Sequence, residues 1–90
     1  IIQVVAEHYN ITTLDILSQR RSKDIVYPRQ IAMYLCRNMT EVPLQEIGKA
    51  MGGRDHTTII HGIEKISKDI EKTPTLQNTV DILKKKLNPK

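Results

Sequence analysis

From one end of this chain to the other, apolar side chains return every third or fourth residue, and nowhere do they alternate regularly with polar ones. That period belongs to helices that bury one face, whereas a half-buried strand needs a period of two. Ile2, Val5, Ala6 and Tyr9 predict a first helix over about residues 1–9, ended by Asn10. Thr12 and Asp15 form a capping pair that opens a short helix through Leu14, Ile16 and Leu17. Ser18 to Val26 is dense in charge, lacks a clean period and reads as a loop. Prolines then mark helix starts, because the first helical position needs no N–H and suits the fixed φ of proline. Pro28 opens a helix whose stripe Ile31, Ala32, Leu35, Cys36 and Met39 runs to about residue 39. Pro43 opens another, with Leu44, Ile47, Gly48 and Met51 on one face and Gly52-Gly53 stopping it. The longest helix follows, from about Asp55 to Glu71, along Ile59, Ile63, Ile66 and Ile70. Pro74 opens the last, with Leu76, Val80, Leu83 and Leu87. The expected fold class is all-α, a small domain of about six helices.

Ninety residues suffice for a single domain, expected over 1–90, and the balance of 39% hydrophobic to 27% charged residues is a globular one. The uncharged apolar stretches are only a few residues long, too short to cross a bilayer, and no Arg/Lys-led signal peptide is expected. Its opening on Ile1 suggests a piece of something longer. The lone Cys36 excludes an internal disulfide framework and a cysteine-rich zinc module, and fits a reducing compartment. With three tyrosines and no Phe or Trp, the chain lacks the rings on which single-strand and RNA binders stack bases.

The net charge of +4 is modest, so its distribution matters more. Residues 1–19 carry only Glu7 and Asp15. Residues 20–37 carry Arg20, Arg21, Lys23, Arg29 and Arg37 against Asp24. A second basic block runs from Lys68 to Lys84, Lys85 and Lys86. Such runs are either solvated faces or polyanion sites, and a second, independent feature has to decide.

That feature lies between Leu44 and Ile63: a short helix, Gly52-Gly53-Arg54, then a longer helix. This is helix-turn-helix organisation, with Gly48 letting the helices approach and the turn one residue longer than the common bacterial pattern. The second helix of such a unit reads bases in the major groove with its N-terminal residues. Here those residues are Asp55, His56, Thr57 and Thr58. Asp55 is also a natural N-cap, and the two roles can coexist. If Ile59 and Ile63 face inward, His56 and Thr57 face outward, where a threonine methyl suits thymine and a histidine can donate to a base. Thr58 and the first-turn amides suit a phosphate oxygen. Catalysis and metal binding fail on geometry. His56 and His61 lie about 140° apart around a helix of about 3.6 residues per turn, so they cannot share a metal. Adjacent Asp55, His56 and Thr57 diverge too far for a nucleophile–base relay. No phosphate-cradling Gly-Lys-Ser/Thr loop occurs, so no enzyme is expected. His8 and His61 read as surface or core-edge histidines, and Cys36 and the methionines as core residues.

The run Gly52-Gly53-Arg54-Asp55-His56-Thr57-Thr58-Ile59-Ile60-His61 closely resembles the signature of the bacterial chromosomal replication initiator (DnaA) family. Arg20-Arg21-Ser22, Pro28-Arg29-Gln30-Ile31-Ala32-Met33-Tyr34-Leu35 and Glu46-Ile47-Gly48 match it in order and spacing. The resemblance covers essentially the whole chain, as that family's C-terminal domain. It implies a Trp-repressor-like helical fold and recognition of double-stranded DnaA boxes at a replication origin. By position it implies base contacts in the major groove for Asp55, His56 and Thr57, and in the minor groove for Arg21. It implies phosphate contacts for Arg29, Gln30, Thr58 and Lys65, with Arg20 alongside in the basic loop. No cofactor is implied in this domain, since the family's ATPase domain lies upstream. A cytoplasmic, nucleoid-associated location without a membrane requirement follows in the same way. Arg29 and Gln30, placed after Pro28 at a helix N-terminus, would meet phosphate with the help of amides and dipole.

Gln19 stands where the family often has lysine, and Asp24 tempers the basic loop. Val42-Pro43-Leu44 replaces a common Ser-Leu-Pro, Met51 a usual phenylalanine, and Gly62 a usual alanine. Gly62 is expected to cost about 1 kcal/mol of helix stability. Two alternatives stand beside this expectation: the helix-turn-helix domain of a transcription regulator, and a basic helical protein-interaction module.

Overall fold

The computed structural model describes residues 1–88 and contains six helices in chain order: α1 (Ile2–His8), α2 (Thr13–Leu17), α3 (Lys23–Met39), α4 (Leu44–Ala50), α5 (His56–Lys72) and α6 (Pro74–Leu87). No strand occurs among the described residues. Helix α3 is the hub, packing against each of the other five. The core gathers Val5 and Ala6 from α1, Ile16 from α2, and Ile31, Ala32, Met33 and Leu35 from α3. Ile47 and Met51, Ile59 and Ile66, and Leu76, Val80 and Leu83 complete it from the last three helices. Apart from Met33, these are residues whose spacing marks an apolar stripe, while Cys36, Met39, Ile63, Ile70 and Leu87 are only half-buried at its margins and Leu14 is exposed.

The local reasons for most boundaries are those read from the sequence. At the end of α1, Asn10 takes a left-handed φ of 57°, which asparagine tolerates. The Ile11 amide then donates to Ala6 (3.0 Å) and the Asn10 amide to Glu7 (3.2 Å), closing a Schellman motif. Helix α2 starts on a full capping box: the Asp15 amide donates to Thr12 Oγ1 (3.0 Å) and the Thr12 amide to Asp15 Oδ2 (3.2 Å). Pro74 sits at the start of α6 as expected.

Two expectations need correction. The charged loop is short, because α3 begins at Lys23: the Ser22 carbonyl accepts from the amides of Ile25 (3.0 Å) and Val26 (2.9 Å). Pro28 therefore lies inside α3 rather than at its first position. The apolar stripe extends backward through buried Ile25, and its burial outweighs the one backbone N–H that Pro28 lacks. Asp24 belongs to the first helical turn, the end of the helix dipole that favours a carboxylate, rather than to the loop. Pro43 similarly stands one residue before α4, as its N-cap. Two polar ties fasten the hub: Tyr27 Oη donates to Asp69 on α5 (3.3 Å), and Lys84 on α6 lies 6.0 Å from the centre of the Tyr34 ring.

Candidate nucleic-acid interface

Helices α4 and α5 form the helix-turn-helix, and the turn is built on backbone hydrogen bonds. Gly52 and Gly53 both take positive φ (84° and 80°). This lets the amides of Gly53 (3.0 Å) and Arg54 (2.9 Å) fold back onto the Gly48 carbonyl. Asp55 then caps α5, its Oδ1 accepting from the Thr58 amide at 2.8 Å. That amide, followed by the Thr58 hydroxyl and the neighbouring His56, holds the Asp55 carboxyl below the ordinary aspartate range. Asp55, His56, Thr57 and Thr58 are all exposed, while Ile59 behind them is fully buried. The tip thus presents a carboxylate, an imidazole and two hydroxyls outward. The Thr58 amide is not free for a phosphate, contrary to expectation, because Asp55 occupies it; the hydroxyl remains exposed.

The basic loop leaves the end of α2, where Arg29 from α3 and Arg54 from the turn before this tip converge. Arg29 is only 5% exposed, and its guanidinium points inward. Nε donates to the Ile16 carbonyl (2.7 Å), and Nη2 to those of Ser18 (2.9 Å) and Asp15 (3.3 Å). Because α3 starts earlier than expected, Arg29 and Gln30 stand near its middle, and the amide-and-dipole argument for phosphate at these residues does not hold. Arg54, half-buried in the turn, reaches the same end of α2 and shares the Ser18 carbonyl with Arg29. It donates to Leu17 (3.4 Å), to Ser18 and to Met51. Burial pushes both guanidinium pKa values down, and for Arg29 the adjacent Arg54 charge adds to the effect.

Arg20 and Arg21 emerge from this junction into solvent. The Arg20 amide donates to Ser18 Oγ (3.2 Å), and its guanidinium reaches Asp15 at 3.4 Å. Gln30 is half-buried where α3 crosses α5 at Gly62. Thr58, Gly62 and Lys65 share one stripe of α5, so Gln30, Thr58 and Lys65 fall on a common side of the helix pair. Lys65 is exposed and pairs loosely with Asp69 at 3.4 Å. Among the expected site residues, only Arg29 is withdrawn from the surface.

Sequence reasoning missed the role of Arg54 in holding the loop. The signal was available at the end of α2, a five-residue helix with no basic residue in its last turn and no glycine after it. Its carbonyls therefore needed donors from elsewhere. No group of three or more potential metal-ligating side chains occurs among the described residues. No helix there is long and apolar enough to cross a membrane.

Comparison with known proteins gives a consistent answer. A family profile described as the bacterial dnaA protein helix-turn-helix matches residues 1–66. The chromosomal replication initiator protein DnaA of Lachnoclostridium phytofermentans is 57% identical over 89 residues, 99% of this chain and 20% of that protein. Its counterpart in Symbiobacterium thermophilum is 54% identical over 81 residues, 90% of this chain and 18% of that protein. The chain thus spans about a fifth of the length of these relatives. A solved crystal structure of a DNA replication initiation factor superposes with a TM-score of 0.84 at 36% identity, covering 94% of this chain and 26% of the other.

Proposed function

The chain belongs to the bacterial DnaA helix-turn-helix family, and from its surface we propose that it is a sequence-specific double-stranded DNA-binding domain, reading DnaA boxes at a replication origin through both grooves. One observation carries this reading: the exposed Asp55-His56-Thr57 tip of α5 and the exposed Arg20-Arg21 pair flank a single junction, linked through Arg54 and Ser18. In this reading His56 and Thr57 meet base edges in the major groove, with Asp55 accepting from a base while it caps the helix. Arg21 enters the adjacent minor groove, where a weakly hydrated cation is favoured. Arg20, Gln30, Thr58 and Lys65 face phosphates, and Arg29 serves the interface from beneath by holding the loop. ATP binding and assembly belong to the longer parent chain, whose upstream ATPase domain is the intramolecular partner. The domain works without a cofactor on chromosomal DNA in the cytoplasm.

The test compares Kd on a DnaA-box duplex with Kd on a random duplex of equal length. His56→Ala and Thr57→Ala should each cost about 1–3 kcal/mol on the box and leave random-duplex binding nearly intact. Equal losses on both duplexes refute base reading.

A further inference from the structure

The carbonyls of Asp15, Ile16, Leu17 and Ser18 close α2, and arginines from two different elements converge on them. Arg29 comes from α3 and Arg54 from the recognition turn, and the Ser18 carbonyl accepts from both. An arginine in a DNA-binding turn is ordinarily read as a phosphate ligand. Here the Arg54 guanidinium is spent on three carbonyls, those of Leu17, Ser18 and Met51, and is half-buried. What it fixes is the basic loop. Ser18 anchors the loop twice more, its hydroxyl donating to the Asp15 carbonyl (2.6 Å) and accepting from the Arg20 amide (3.2 Å). Arg21 follows three residues after Ser18, within about 10 Å of chain. On the other side, Arg54 immediately precedes Asp55, the cap of the reading helix.

We propose that Arg54 is a positioning residue that locks the minor-groove loop to the major-groove helix tip, so that the two are read as one unit, and that it makes no phosphate contact of its own. The proposal rests on the DNA-binding reading above. With the lock intact, Arg21 reaches its groove only when the helix tip is in register, and specificity at the two grooves is coupled. Without it, the loop stays tied to α3 through Arg29 but is released from the helix tip, and Arg21 loses its register with α5. Lysine cannot replace arginine here, because a single ammonium on a flexible stem does not present a planar fork to carbonyls on two sides.

The experiment is a double-mutant cycle between Arg54 and Arg21, read as Kd on a DnaA-box duplex and on a random duplex. Arg54→Lys keeps the charge and most of the stem, and a thermal melt of each variant reports its folding. In the parent background, Arg21→Ala should weaken box binding at least about tenfold. In the Arg54→Lys background the same substitution should cost no more than about twofold, because the loop is already misplaced. Arg54→Lys alone should lose box affinity while random-duplex affinity stays within about twofold. An Arg21 penalty of equal size in both backgrounds overturns the proposal. So does an Arg54→Ala variant, melting above the assay temperature, that weakens both duplexes equally, since that is the behaviour of a phosphate ligand. If the parent protein shows no preference for the box, the DNA-binding reading falls first and takes this coupling with it.

Discussion

Gly48 occupies the tightest place in the helix-turn-helix for an added methyl group, with Gly52 next, where a Cβ would meet the Leu17 carbonyl. A Cβ on Gly48 would overlap the backbone carbonyl of Arg54, a residue tied by its amide to the Gly48 carbonyl itself. Gly48→Ala should therefore destabilise the domain by about 3 kcal/mol, the upper end for overpacking, despite alanine's better helix propensity. A thermal melt checks this, the expected drop exceeding about 10 °C for a domain of this size; a variant melting like the parent would show that the turn can open freely. Gly62 differs: a Cβ there meets the Met33 thioether at 2.5 Å, and a methionine side chain can move. The expected penalty of glycine at this helical position is therefore partly balanced by room for Met33. At this scale the sequence was legible where chemistry is local. Asp55 could be read as a cap and His56 and Thr57 as exposed from spacing alone. The inward turn of Arg29 could not, because its partners are carbonyls more than ten residues away in the chain.

The first turns of α2 and α5 each use an aspartate to accept a backbone amide hydrogen bond, Asp15 from within the capping box and Asp55 as the N-cap, and both carboxyls are held below their ordinary pKa. For Asp15 the Thr12 amide is the main cause, with the Thr12 hydroxyl and Arg20 assisting; for Asp55 it is the Thr58 amide. A carboxyl depressed by folding stabilises the fold above its unfolded pKa of about 4, and that contribution disappears as pH falls through the folded value. Melting temperature should accordingly fall between about pH 5 and pH 3. Asp15→Asn and Asp55→Asn keep a capping acceptor without a titrating charge. Each should flatten that fall, and a pH dependence identical to the parent's would dismiss the caps as its origin. Element boundaries followed the same rule of locality. Caps and positive-φ residues at the ends of α1, α2, α4 and α5 were readable from the residues around them. The start of α3 was not, since exposed Lys23 and Asp24 mask a turn whose only fully buried residue is Ile25.

For the molecule as a whole, a net charge of +4 says little, and its placement says more. Most of the expected phosphate-facing groups keep their side chains in solvent, and Lys65 is held only by an exposed pair with Asp69, a kind worth little. Lys65 can exchange that carboxylate for a phosphate. Lys65→Ala should weaken box and random duplexes alike and lower the slope of log K against log salt by about one; an unchanged slope removes Lys65 from the contact set. The all-helical architecture was open to sequence reasoning because the helical period persists through nearly every segment. The junction that gathers loop and tip was not, because it exists only once α2, α3 and the turn have packed together.

The compactness of the six-helix body has a consequence for crowded templates. Its backbone extends 29 × 27 × 26 Å, less than the rise of about 34–36 Å in one turn of duplex. In the DNA-bound state proposed above, a copy would span most of one helical turn once its side chains are added, so neighbouring copies on one face would be spaced by about the helical pitch.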